Sequence, residues 1–284
     1  MTSIQHILFS AIEATANEKE LEWVKTKANS EVKAIQIAFV SAPRFIRKVT
    51  IRVDEKVIHS VVPDWQIEEW TLERLVRVYL LLHIPSDQSE EYVKNIETLF
   101  DTAEINELVA LYSALPVLAY PEKWLFRATE AVRSNMGVVF DAIGFGNPYP
   151  FLHFSELAWN QLVLKCIFND KPIHLIVGLE KRANRKLAET LSDFAHERWA
   201  ADRKVPAQVW RLVIRFMNDT ILADLDKLFQ SNDIQNQTAA ALVCSETTFP
   251  GAEGLLENYP QLRASVQKGQ LSWKQLEVHQ LCYV

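Results

Sequence analysis

Three histidines near the middle of the chain, His153, His174 and His196, have the chemistry of bases or metal ligands. His196 stands in "DFAHERW", with Asp193 at i−3 and Glu189 at i−7. On a helix these positions share a face. A carboxylate beside an imidazole can orient a general base or share a metal with it. His153 or His174 would then be the second group of an acid–base pair. As a metal motif the pattern is incomplete. Trp199 and Ala200 follow "HER", so the HExxH spacing is absent, and only one Asp-x-x-His unit is present. No metal and no cofactor is expected. A histidine that bonds a carbonyl and locks a helix joint is the simpler explanation of these positions.

A basic cluster follows in "GLEKRANRKL" (178–187), where Lys181, Arg182, Arg185 and Lys186 surround a helix start capped by Asn184. Free N–H groups and the partial positive charge of a helix N-terminus favour an anion. Arg182 is the best bidentate donor, and Lys165 from the preceding helix is a second cation. A solvated basic face is the plain alternative. A polar and aromatic set surrounds "GFGNPYPFLHFSELAWNQ" (144–161): Asn135, Asn147, Tyr149, His153, Trp159, Asn160 and Gln161. Buried amides need partners. Such a set either lines a pocket for a hydroxylated ring or forms a belt that satisfies loop carbonyls. The ligand-binding candidates are therefore Asn135, Tyr149, His153, Trp159, Asn160, Lys165, His174, Arg182 and His196. No GxSxG elbow, P-loop or strand-preceded GxGxxG accompanies them. Cys166 falls on an apolar helix face and reads as packing.

The elements that must position these groups read as helices. The chain has 284 residues and seven glycines, with none before Gly137. Tight strand turns usually need more glycine than that. Apolar residues recur at helical spacing, as in Leu72, Leu75, Val76, Tyr79, Leu80 and His83. Two or three helices fit residues 3–42. Others fit 89–100, a segment opening at "DTAE" with Asp101 and Glu104 at capping-box spacing, and one from Pro121 to about Ile143. Ser155 and Asn184 are natural N-caps, and further helices fit 219–229, 233–245 and 252–268. Residues 47–62 read equally as a short hairpin or as a loop and short helix. The expected fold is all-α, an array of antiparallel helix pairs that resembles a HEAT-like superhelix, without a fixed repeat period. The expected organisation is an N-terminal helical segment at 1–65 and a main helical domain at 66–284, together one continuous unit.

Composition bounds the partners. A net charge of −6 argues against a nucleic-acid protein with a broad basic face. Three scattered cysteines, Cys166, Cys244 and Cys282, form no disulfide framework, and a cytoplasmic setting is expected. The first residues lack a basic n-region, and the apolar runs are too short for a transmembrane segment.

Several segments in order carry a resemblance: "WTLERLVRVYLLL", "ELVALYSALPVLAYPEKW", "RATEAVRSNMGVVFDAI", "NPYPFLHFSELAWNQLVLKCIF" and "PIHLIVGLEKRANRKLAETLSDFAHERWA". Together they resemble the EboA family of bacterial operons, most strongly over 105–216. The resemblance implies an accessory role in metabolite traffic. It places the chain beside a UbiA-type prenyltransferase and a dehydroquinate-synthase-like enzyme, in a pathway that makes or exports a prenylated cyclic metabolite. It implies no reaction for the chain itself. The leading expectation is a protein that binds a polar or anionic small molecule, phosphate-bearing or prenylated, without turning it over. The alternatives are a hydrolase- or isomerase-type enzyme using the His/Asp cluster, with or without a metal, and a scaffold for the other operon proteins.

Overall fold

The computed structural model describes the backbone over residues 3–281 and the side chains over residues 3–277. Cys282 lies outside the described residues. Among those residues the fold is all-α, and the one β feature is an isolated antiparallel bridge between Thr50 and Thr71. The chain divides into two compact units. One takes the chain up to Gln161 together with Leu175–Val177, and the other takes Leu162–His174 and the chain from Gly178 onward.

The first unit opens with α1 (Ser3–Thr15), α2 (Glu18–Ala28) and α3 (Val32–Ser41). Asn17 caps α2 in a capping box: Glu20 N–H donates to Asn17 Oδ1 at 3.0 Å, and Asn17 N–H donates to Glu20 Oε2 at 2.8 Å. Buried Glu20 also accepts from the Arg47 backbone N–H and side chain, which pins the start of the following loop. That loop resolves the ambiguity at 47–62. Val49, Ile51 and Val53 alternate like a strand, but the segment forms only the single bridge at Thr50. Asp54 then caps the short α4 (Glu55–His59) through Lys56 N–H.

Next come α5 (Leu72–Leu81), α6 (Ser89–Thr102), α7 (Ile105–Ala114), α8 (Leu125–Arg133), α9 (Gly137–Gly144) and α10 (Tyr149–His153). The centre of this unit is α5, which packs against α1, α2, α3 and α7, while α7 also packs on α9. A succession of packed helices of this kind is compatible with the helix-pair stack expected from the sequence. Two local expectations shift. The capping glutamate pair of α7 is Glu104 with Glu107, whose Oε2 accepts from Glu104 N–H at 3.1 Å; Asp101 belongs to α6. The helix read as running from Pro121 to Ile143 breaks at Ser134–Met136, so Asn135 lies between α8 and α9 and not on a helix.

The unit boundary falls inside α11 (Glu156–Phe168), whose start Ser155 caps by accepting from Ala158 N–H. The second unit continues with α12 (Arg185–Ala200), α13 (Asp219–Phe229), α14 (Ile234–Glu246), α15 (Ala252–Glu257), α16 (Pro260–Gln267) and α17 (Trp273–Leu281). Pro260 opens α16 and divides the single helix expected at 252–268. At its centre α14 is buried on every side from Thr238 to Cys244. Ala239, Ala240 and Ala241 let its neighbours approach closely, and α13, α15, α16 and the turn at Ala207–Leu212 all pack on it.

Candidate functional site

A cleft of about 510 Å³ opens within the first unit. One wall is the loop at 66–71 and the first turns of α5, with Glu68, Trp70, Arg74 and Arg77. Val109 of α7 and Ala142 of α9, with Phe145 and Gly146, also line the cleft. The walls follow from local chemistry. Thr71 Oγ1 accepts from Arg74 N–H at 3.3 Å and starts α5 just after the loop. Gly146 holds the far end at φ +58°, where a Cβ would stand 2.7 Å from Gln66 Cβ. The close approach lets Gln66 N–H donate to Gly146 O at 2.8 Å, and Gly146 N–H donate to Leu175 O at 2.9 Å.

The charges of this wall are unequal in their pairing. Arg77 is 3% exposed and meets Glu73 at 2.7 Å and Glu107 at 3.8 Å, while its Nε donates to Phe39 O. Burial pulls Arg77 below the ordinary arginine value, and Glu73 and Glu107 oppose that pull. Lys48 stands 3.8 Å from Glu73 at the surface. Arg74 has no such compensation. Its guanidinium stacks on Trp70, 4.1 Å from the ring centre, and its Nε donates to Ser113 Oγ at 2.8 Å. Ser113 spends its own proton on Val109 O, so its lone pairs face the arginine. Among the described residues no carboxylate bonds to Arg74. Burial pulls it down to about 9, which leaves it charged at neutral pH.

Glu68 is the complementary anomaly. Its Oε1 is buried and meets no donor among the described residues. An unsatisfied buried acceptor costs about 1–3 kcal/mol. The cleft wall therefore holds a cation without an acid and, at Glu68, a carboxyl group whose inner oxygen is closed to solvent and without a donor, beside apolar side chains. Such a surface can bind a small polar ion and orient it.

The residues singled out from the sequence lie elsewhere. Asn135, Tyr149, His153, Trp159 and Asn160 belong to the first unit, and Lys165, His174, Arg182 and His196 to the second. Asn135 is exposed. Tyr149 is fully buried, its hydroxyl donates to Pro121 O, and its ring lies 4.7 Å from the His153 ring. Asn147 donates to Tyr112 O at 3.0 Å and Ala142 O at 2.9 Å, and accepts from Tyr149 N–H. These bonds make the Gly- and Pro-rich joint a belt that satisfies carbonyls. Trp159 and Asn160 are buried. Burial pulls His153 below the ordinary histidine value, so it is neutral at pH 7.

In the second unit, burial also lowers His174, against the raising influence of Glu277 and Gln208. Its buried Nδ1 has no bonded partner among the described residues. Lys165 and Arg182 are half-buried and already engaged. His196 pairs with Asp224 and not with Asp193: His196 Nε2 lies 2.5 Å from Asp224 Oδ1, and Asp193 is exposed. Ser192 donates to the other oxygen of Asp224 at 2.6 Å. The carboxylate thus stands between hydroxyl and imidazole. The serine proton goes to the acid, so this is not a nucleophile–base pair. Among the described residues no three His, Cys, Asp or Glu side chains gather as a metal site, and no helix is long and apolar enough to cross a membrane.

Sequence reasoning passed over Arg74 and Glu68. The signal lay in "QIEEWTLERLVRVYLLL", where charged residues interrupt a strongly apolar helical pattern. Glu73 and Arg77 sit four apart on a face that is otherwise core.

No curated protein and no solved structure matches the chain. A family model described as metabolite traffic protein EboA matches residues 4–214, which include every residue that lines the cleft. With about three quarters of its length inside that match, the chain belongs to the EboA family.

Proposed function

We propose that this protein binds a small anionic metabolite in the cleft on α5 and holds it, without turnover, for the enzymes of its pathway. The observation that carries the reading is Arg74, a half-buried arginine with an apolar stacking partner and one hydroxyl acceptor. A cation left without an acid in a cleft wall gains from an anion more than a paired one does. The apolar side chains that also line the cleft suit a ligand with a hydrocarbon part. The family description supports an accessory role in metabolite traffic, and the pathway we favour is the prenylated cyclic metabolite route implied by the sequence resemblance. The buried thiols of Cys166 and Cys244 suit a cytoplasmic setting.

The test is native mass spectrometry of the protein and its Arg74→Gln variant, both purified from the native host. A small molecule retained by the wild type, absent from the variant, and recovered unchanged after incubation supports the proposal. Equal loading of the two proteins removes Arg74 as the anchor. Conversion of the molecule by the protein overturns a role without turnover.

A further inference from the structure

Pairing off the charges of the cleft leaves a specific remainder. Glu73 is taken by Arg77 at 2.7 Å and faces Lys48 at 3.8 Å, and Glu107 lies 3.8 Å from Arg77. Asp141 has interactions of its own, and Glu69 is exposed to water. What is left is Arg74, with Ser113 as its hydrogen-bond acceptor, and Glu68, whose inner oxygen meets no donor. A simple anion satisfies the first and leaves the second as it was. A ligand that also carries a hydrogen-bond donor satisfies both. Buried acceptors without partners are rare enough in native proteins that each calls for a physical cause. Here Arg74 and Glu68, of opposite character, line the same cleft; the unpaired oxygen of Glu68 is closed to solvent, so its side chain must rotate to meet a ligand donor.

We infer that the cleft selects an anion bearing its own donor, an ammonium or hydroxyl group, with the anionic end on Arg74 and the donor on Glu68. The inference rests on the proposed anion-binding function and narrows it. Glu68 is then the residue that separates such ligands from inorganic anions and from plain alkyl anions. A donor placed against a carboxyl group is favoured through a charge-assisted bond, and an analogue lacking it leaves the acceptor unpaired.

The test is calorimetric titration with a matched series: ethyl phosphate, 2-hydroxyethyl phosphate and phosphoethanolamine, with the corresponding four-carbon chains to cover spacing. The wild type is expected to bind the hydroxyl or ammonium form about tenfold more tightly than the alkyl form of equal length. Glu68→Ala should erase that ratio and leave the alkyl phosphate unchanged. Glu68→Gln should keep a preference for the hydroxyl form and lose the one for ammonium, because an amide oxygen accepts but carries no charge. Arg74→Gln should weaken the whole series together. Equal affinity across the series, or a ratio unmoved in Glu68→Ala, overturns the inference while anion binding stands. Binding that survives Arg74→Gln, or no binding of any member to the folded wild type, overturns the anion site as well. Circular dichroism of each variant separates loss of binding from loss of fold.

Discussion

The Arg74 guanidinium carbon lies 4.1 Å from the centre of the Trp70 ring, so the one cation of the cleft without an acid is held against an aromatic face. Stacking and the Ser113 bond fix the plane of the guanidinium before any ligand arrives. Preorganisation of this kind lowers the entropy lost on binding.

The first prediction follows from the pH behaviour of that group. Burial holds Arg74 at about 9, below the ordinary 12.5. Between those values the unfolded chain binds more protons, so this group's contribution to stability improves as pH rises through that window. An anion works in the opposite direction, because it binds the charged form. Affinity for isethionate, whose own charge is constant, should be flat from pH 6 to 8. Above about pH 9 it should fall roughly tenfold per unit. Titration calorimetry across pH 6–10.5 measures it, and Arg74→Gln should show weak binding with no such limb.

The buried ion network gives a second. Arg77→Met leaves Glu73 and Glu107 without their buried partner. Breaking such a network from one side costs about 3–5 kcal/mol. Replacing all three, with Glu73→Leu and Glu107→Leu added, should recover most of that loss, since well-packed apolar groups substitute for buried ions without a large penalty. Urea unfolding of the single and triple variants decides the point.

Two glycines should respond in opposite directions. At Gly146 the left-handed φ of +58° and the 2.7 Å approach of Gln66 Cβ both oppose a side chain. Gly146→Ala should cost about 1–3 kcal/mol and loosen the end of the cleft. At Gly254, inside α15, a Cβ meets nothing within 4 Å. Gly254→Ala should stabilise by about 0.5–1 kcal/mol, through helix propensity alone. Thermal melts of the two variants provide the comparison.

Asp224 and Asp193 offer a last contrast. Asp224 is 4% exposed and takes bonds from both Ser192 and His196, joining α13 to α12. Asp224→Ala should cost about 2 kcal/mol through lost bonds to a charged acceptor. Asp193→Ala, at an exposed position, should change stability by less than about 0.5 kcal/mol. Equal effects in urea unfolding would mean that His196 takes its support from its own helix after all.

Legibility in the sequence followed the range of the interaction. The caps at Asn184 and Ser155 were readable because each acts on a backbone N–H three residues away. The reading of Asp193 as the partner of His196 used the same local rule and missed, because Asp224 arrives from a different helix 28 residues later. Asp101 was read as a cap because its spacing to Glu104 is right. One more turn of α6 runs through it, and the cap moves to Glu104.

The all-α class, most of the helices and the caps at Asn184 and Ser155 were legible in the sequence alone. These depend on glycine scarcity, apolar period and side chains that bond within a turn. The site was decided only by the tertiary structure. Whether a charged side chain is solvated, paired or left without an acid depends on which groups from distant parts of the chain meet it. Arg74 and Arg77 are three residues apart on one helix, with similar sequence surroundings. Folding gives Arg77 two glutamates, one of them from α7, and gives Arg74 only a hydroxyl and an indole face, and that difference separates a structural ion network from a binding residue.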